Sequence, residues 1–439
     1  MKKRLLLLPF EPLSYQPFYV YSFEVDGICY NINRGTSTCS VTYRKSLRYS
    51  GKVVIPASVI YDGKEYSVTS IDCGAFYGCS GLTSVEIPDS VTSIGQSAFS
   101  GCSGLTSVVI PNSVTSIGMY AFYGCSSLNE VHISDIDAWC KIKFHHSSSN
   151  PLANAHHLFL EGKEVKELII PTNVSEIGDY VFSGCIRLAS VEIPNTVTSS
   201  GGAAFSGCIR LTSVSIPNSA GSIGNYAFYG CKALTNLIIE DGATTLDLGY
   251  NCHYHGLFYD CPLETLHLGR NLSYKTGLSY GYSPFYGKSS LKELTIGNSV
   301  ISIGESAFRY CRGLTTVEIP SSVTSIGASA FSGCTALKSL TVNALMPPSV
   351  ARESFDDTVF ASATLIVPEE SREEYENDPV WGLFVSKDIA VGIDEIDAMS
   401  DGEIEVYDLK GVKIAHDLKG LPKGIYIVRR GSRVSKISI

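Results

Sequence analysis

The chain lacks the signatures of the common catalytic sites. No G-x-S-x-G, phosphate-binding loop, G-x-G-x-x-G after a strand or paired-carboxylate pattern occurs in its 439 residues, so nothing nominates a nucleophile with its base. The metal-site spacings H-x-x-x-H, H-E-x-x-H and C-x-x-C are missing as well. No apolar run approaches the ~20 residues of a membrane span. Charge is sparse, at 18% of residues, and 34 Lys and Arg face 43 Asp and Glu, for a net charge of −9. A non-specific nucleic-acid binder needs a basic footprint, and adhesion to anionic lipid needs the same sign, so both classes are disfavoured. Apolar residues make up 44%, which sets the chain apart from disordered proteins.

What the chain has instead is a period. Ten times a Phe is followed, usually six residues later, by a Leu and then by an alternating apolar pair. Phe99-Ser-Gly-Cys102-Ser-Gly-Leu105-Thr-Ser-Val108-Val-Ile110-Pro111 is one copy, and Phe122, Phe182, Phe205, Phe228, Phe308 and Phe331 begin others. The commonest spacing is 23 residues, as from Cys79 to Cys102 to Cys125. A fixed period in this range means stacked supersecondary units, so the chain reads as an elongated array rather than a globule.

Within a unit, Leu105, Val108 and Ile110 point inward from a short strand and Val109 points outward. Ile94 belongs to a second extended segment across the core. Gly95 and Gly101 fall where the backbone turns sharply, and Pro111 ends the strand because it cannot donate to a ladder. Nine of the 14 cysteines occupy one repeat position, the slot of a small buried hydrophobe. Successive slots lie roughly 4.8 Å apart in a stack. Side chains in such a ladder point the same way, so buried free thiols are expected there in preference to disulfides. Ser200 stands where the repeat has Ile, which predicts a weaker core at that coil.

Residues 1–17 open with Met1-Lys2-Lys3-Arg4 and a Leu run, and read as a degenerate export signal with a short apolar stretch; a cytosolic tail is the alternative. Residues 18–70 read as an N-terminal β cap, with a hairpin around Asp26-Gly27. Residues 71–342 are the repeat array. It is broken by a longer unit at 131–176 and by a stretched, Tyr-rich region at 240–290, where Lys288 replaces the repeat Cys. Residues 343–390 read as a C-terminal capping unit with one short helix, and 391–439 as a small all-β module.

At Val91-Thr-Ser-Ile94-Gly95-Gln-Ser-Ala98-Phe99-Ser-Gly101-Cys102-Ser-Gly-Leu105-Thr-Ser-Val108-Val-Ile110-Pro111 the chain resembles the BspA-like, Treponema pallidum-type leucine-rich repeats of bacterial surface proteins. The resemblance covers roughly residues 50–342 and recurs in register. It implies a right-handed leucine-rich-repeat solenoid used for adhesion to host proteins or other cells, and it carries over no catalytic residues. The tail Val406-Tyr407-Asp408-Leu409-Lys-Gly411, with Leu421-Pro-Lys-Gly424-Ile-Tyr426-Ile-Val428, resembles the carboxy-terminal sorting modules of type IX secretion substrates. Both resemblances imply export.

Three places invite a functional reading. Tyr250, Tyr254, Tyr274, Tyr280 and Tyr282, with His253, His255 and Arg270, could form an exposed aromatic patch suited to protein or glycan surfaces; the alternative is that longer loops use Tyr to shield the solenoid flank. His145, His146, His156 and His157 lie near Cys140, but no carboxylate accompanies them, and a structural role outweighs a metal site. The outward strand positions Glu86, Val109, His132, Glu192, Ser215, Ile238, His267, Thr295, Glu318 and Thr341 would line the concave sheet, the face through which extended repeat surfaces commonly bind.

The sequence therefore predicts a mainly β fold: a right-handed leucine-rich-repeat solenoid with capping units and a small C-terminal all-β module. The expected function is a secreted or cell-surface, non-catalytic binding or adhesion protein of bacteria, which recognises a host or bacterial surface protein or a glycan through the solenoid surface. No metal, cofactor, nucleic-acid partner or integral membrane segment is expected. The alternatives are a structural or assembly component of the bacterial envelope and, behind it, a hydrolase with its site in the 240–290 loops.

Overall fold

The computed structural model describes residues 22–44, 48–250, 256–275 and 283–390, together with the strand segments 404–407, 413–415, 425–430 and 433–438. The repeat units form coils, and a coil gives one strand to a front face and another, usually of two residues, to a rear face. On the front, Glu167–Ile169, Ser190–Glu192, Ser213–Ile216, Asn236–Ile239, Thr265–Leu268 and Glu293–Ile296 follow one another as a six-stranded parallel sheet. Val214, Leu237, Leu266 and Leu294 stand in register along it and point into the core. On the rear, Ile94 pairs with Ile117, Ile177 with Ser200, and Ile303 with Ile326.

Between the faces runs a column of phenylalanine rings. Phe76, Phe99 and Phe122 stack with centroids 5.0 and 5.2 Å apart, and Phe182, Phe205, Phe228 and Phe258 continue at 5.4, 5.5 and 5.7 Å. Phe285, Phe308 and Phe331 follow, and Phe355 extends the column at 5.7 Å although no repeat Cys or Leu follows it. The spacing is slightly wider than the strand repeat, because rings of parallel planes need their van der Waals thickness and a small offset. Tyr49 closes the column at one end, against Phe76 at 4.7 Å. Trp381 and Phe384 close it at the other, against Phe355.

The repeat cysteines do more than fill space. Cys102 Sγ donates to the carbonyl of Phe76 at 3.1 Å, and Cys208, Cys231, Cys311 and Cys334 repeat this bond with the Phe of the preceding coil at 3.2–3.3 Å. All thirteen described cysteines are free thiols. Burial pushes Cys125, Cys185 and Cys311 up to about 12, which keeps them protonated and able to donate. Ser and Thr supply parallel ladders: Ser113 Oγ donates to Val91 O at 2.6 Å, Ser219 to Val197 O at 2.7 Å, and Thr115 to Thr92 O at 3.2 Å. The polar residues of the repeat thus serve as inter-coil donors.

Two details correct the sequence reading of the turns. Gly101 does adopt a left-handed conformation, at φ 75°. Gly95 does not; it is needed because a Cβ there would lie 2.5 Å from the backbone N of Cys73 in the coil beneath. The left-handed turn falls two residues later, on Ser97, and recurs at Tyr120, Tyr180, Ala203, Tyr226, Ser306 and Ser329, with φ of 52–63°. These are side-chain-bearing residues held where glycine is normally favoured. Ser200 is buried between Ile177 and Ile223, and its hydroxyl finds no partner.

The longer unit interrupts both faces. The front strand Leu158–Leu160 turns back into an antiparallel hairpin with Lys163–Glu164, and the rear sheet stops at Lys143–Phe144. Side chains bridge the gap. The Trp139 indole N–H donates to Val181 O at 3.0 Å, and the Asn150 amide donates to Tyr180 O and Val181 O. The helix Ile136–Cys140 that carries Trp139 is capped by Asp135, whose carboxylate accepts from two backbone N–H groups.

At the amino end, Phe23–Val25 and Ile28–Ile32 form the expected hairpin, with Asp26 and Gly27 both at positive φ. Residues 343–390 hold two short helices, Asp357–Ser362 and Arg372–Asn377, where one was expected; Asp356 caps the additional one by accepting from Val359 N. Trp381 Nε1 donates to Pro348 O and Tyr375 Oη to Ala344 O, which locks this segment over the end of the array. The strands Ile404–Tyr407, Lys413–Ala415, Ile425–Arg430 and Arg433–Ser438 form a four-stranded antiparallel sheet.

Candidate binding surface

Alternation in the front strands turns every second side chain outward. Glu167, Ile169, Glu192, Ser215, Ile238, His267 and Thr295 come from six successive strands, and pairing sets Ile169 beside Glu192 and Ile238 beside His267. Large apolar side chains are left in solvent on the front strands: Ile169 is 67% exposed and Ile238 37% in this row, and Val109 is 53% exposed on the separate sheet before the long unit. Next to Val109, the His132 ring stacks on Phe159 at 4.8 Å while its Nε2 meets Glu130 Oε2 at 2.9 Å. His267 Nε2 lies 3.5 Å from Asp241. The result is a rigid row of apolar, carboxylate and imidazole groups at one-strand spacing, a chemistry suited to binding by shape and many polar contacts.

A second aromatic surface runs along the flank, one residue after the core Phe. Tyr77 and Tyr123 are well exposed, and Tyr120 meets Tyr123 edge to face at 5.9 Å. Further on, Tyr229 stacks on Tyr259 at 5.3 Å, and Arg309 and Arg312 lie over the Tyr310 ring.

The residues singled out in the 240–290 region divide. Tyr254, Tyr280, Tyr282, His253 and His255 lie outside the described residues, and Tyr250 ends the strand Leu246–Tyr250. Arg270 is fully buried, against the expectation of an exposed patch. Its Nη1 donates to Asn218 O, Ala220 O and Thr244 Oγ1 at 2.8–3.2 Å, and its Nη2 donates to Pro217 O at 2.7 Å. Desolvation pulls its pKa down and Glu240 opposes this. The guanidinium is thus an internal bolt across coils: carbonyls and a hydroxyl receive the protons of both terminal nitrogens, while its buried Nε finds no partner. Tyr274 is also committed: its hydroxyl donates to Glu305 O at 3.0 Å, and burial raises its pKa.

The four histidines near Cys140 each have a different local partner. His145 meets Ser116 Oγ, His146 caps the turn Ser147–Ser149, His156 faces Gly184 O, and His157 Nδ1 lies 2.5 Å from Glu164. Among the described residues no three His, Cys, Asp or Glu side chains gather as metal ligands, and no helix is long and apolar enough to cross a membrane.

The family model described as "BspA type Leucine rich repeat region" matches the chain in six copies, over residues 64–149, 155–280 and 278–367. A leucine-rich repeat protein of Bacteroides ovatus is similar at 27% identity, with 81% of this chain and 96% of that one covered and a TM-score of 0.46. A leucine rich cell surface protein of Faecalibacterium prausnitzii is similar at 22% identity, with 86% and 97% covered and a TM-score of 0.39. A leucine-rich repeat protein of Bacteroides capillosus shares 32% identity over 32% of this chain and 98% of its own, with a TM-score of 0.27. No curated protein matches the chain.

Proposed function

The chain belongs to the BspA-type leucine-rich-repeat family, and on that premise we propose that it is a secreted or cell-surface protein of a bacterium that binds a protein or glycan partner and performs no catalysis. BspA-like repeats are repeats of bacterial surface proteins. The observation that carries the binding reading is the front face, where Ile169 and Ile238 stand in solvent on one six-stranded sheet and Val109 does so on the sheet before the long unit. Isolated exposed apolar residues are ordinary, but a row of them interleaved with unlike polar groups at fixed spacing is a recognition surface. The four-stranded sheet of the tail supports a sorting module for export.

Two measurements test this. Fractionation of the source cells is expected to place the chain outside the cytoplasm. The purified protein is expected to capture at least one component of an array of extracellular matrix proteins, cells and glycans, and Ile169→Asp is expected to weaken that capture roughly tenfold or more. Cytoplasmic location with no capture would sink the proposal.

A further inference from the structure

One coil of the array is a residue short. Phe228 and Phe285 are each followed by Leu six residues later, whereas Phe258-Tyr-Asp-Cys261-Pro262-Leu263 reaches its Leu in five. The flanking coils place Lys232-Ala233 and Ser289-Ser290 in the turn where the short coil has Pro262 alone. The missing residue leaves an open cleft of about 490 Å³, lined by Lys232, Asp260, Pro262, Lys288, Ser289 and Ser290 among others. The cleft is shallow and open to solvent, so it suits one face of a ligand rather than an enclosed molecule.

The walls are chemically unlike the rest of the array. Lys288 replaces the repeat thiol, and its ammonium takes over the thiol's bond to the preceding Phe carbonyl, here Phe258 O; it also donates to Cys261 O at 3.1 Å. Two of its three N–H groups are thereby used. Lys232 is exposed and forms no ion pair among the described residues. Asp260 occupies the position of Gly230 and Gly287 and is held at φ 58°, a conformation that disfavours a side chain. Tyr310 holds the same repeat position at φ 59°, so what sets this coil apart is the carboxylate that Asp260 places in the cleft wall. Ser290 Oγ donates to Leu263 O and keeps its own lone pairs as acceptors. A simple anion would be drawn by the lysines and repelled by Asp260. A polyol bearing one anionic group satisfies both, with its hydroxyls donating to Asp260 and Ser290 and its anion on Lys232.

We propose that this cleft is a saccharide subsite for a sugar carrying a carboxylate or a sulfate ester. The inference rests on the binding function proposed above and narrows it to an acidic glycan. Pyranose rings have apolar C–H faces, and Pro262 supplies an apolar ring in the cleft wall between the charged groups.

The test is calorimetric titration of the full-length protein with sialyllactose and a hyaluronan tetrasaccharide as carboxylate probes, a heparin tetrasaccharide as sulfate probe, and lactose as neutral control. At least one acidic probe is expected to bind roughly tenfold or more tightly than lactose, and the probe that does so identifies the anion. Lys232→Gln, on an exposed side chain, is expected to erase that preference. Asp260→Gly restores the repeat residue and is expected to raise the melting temperature while weakening every saccharide, a split that a purely structural role would not produce. Equal binding of lactose, no binding of any acidic probe, or unchanged binding in both variants would overturn the subsite. If such a protein still captured a matrix protein or cells, the broader binding function would stand; if it captured nothing, both would fall.

Discussion

The Cys125 thiol donates to the carbonyl of Phe99 at 3.1 Å, 26 residues upstream and one coil below. The same carbonyl accepts from Cys102 N within its own coil, so both of its lone pairs are used and the repeat thiol completes a satisfied buried acceptor. These thiols are protonated as well as buried, and both properties suppress nucleophilicity. Brief treatment of the native protein with iodoacetamide is therefore expected to label the exposed Cys73 and spare Cys125, Cys185 and Cys311, as read by mass spectrometry. Native labelling of the ladder thiols at a rate like that of Cys73 would contradict this role.

Ser200→Ile is expected to stabilise the protein by about 1–3 kcal/mol, since it restores the repeat residue between Ile177 and Ile223 and removes a buried hydroxyl with no partner. Chemical denaturation should show a higher midpoint at unchanged slope. A loss of stability would mean that the slot beside the long unit is too narrow for the side chain.

Phe99→Ala is expected to cost about 3–5 kcal/mol, because the ring is fully buried and stacked on both sides. Contacts in a repeat array are near-neighbour. Hydrogen exchange should therefore accelerate in the coils of Phe76 and Phe122 and remain unchanged near Phe308.

Arg270→Met removes four hydrogen bonds to the carbonyls and hydroxyl of residues 217–244. An expected cost of about 3 kcal/mol or more follows from leaving buried acceptors unpaired, visible as a lower melting temperature with no partner present. A variant of wild-type stability that had lost binding would return Arg270 to the surface patch.

Glu164 sits in a charged cluster with His157, Arg187 and Lys166. The hydrogen bond from His157 is the main cause that holds its carboxyl below the ordinary value of 4.5, with Arg187 and Lys166 acting in the same direction. A lowered folded-state value means that the contribution to stability is whole above about pH 4.5 and drains away as the pH falls through the folded value. Stability of the wild type is expected to fall more steeply than that of Glu164→Gln as the pH is lowered below about 4.5. Parallel curves would refute the linkage.

Much of the architecture was legible because it is written with the period. Leu105, Val108 and Ile110 face inward as their alternation requires, and the Phe column follows from one ring per coil. What escaped was set by partners one coil or more away. Cys125 looked like a small hydrophobe because its acceptor is 26 residues upstream. Arg270 looked like a surface cation because its carbonyl acceptors lie 50–53 residues before it. Gly95 looked like a turn residue, while its reason is the backbone of Cys73 beneath it. The αL position at Ser97 carries no Gly to announce it. Within the candidate surface, the outward front positions were found by alternation, and the short coil at Phe258 could have been found by counting to its Leu.

The gap in both faces beside Trp139 has a mechanical meaning. Strand-to-strand pairing is interrupted there, and the joint is held by isolated backbone bonds, Gly178 N–H to Cys140 O and Ile186 N–H to His156 O at 3.3 Å, together with the side-chain bonds of Trp139 and Asn150. A joint held by so few bonds is a place where heat or tension is expected to part the stack, with Phe76 through Phe122 yielding separately from the length that begins at Phe182.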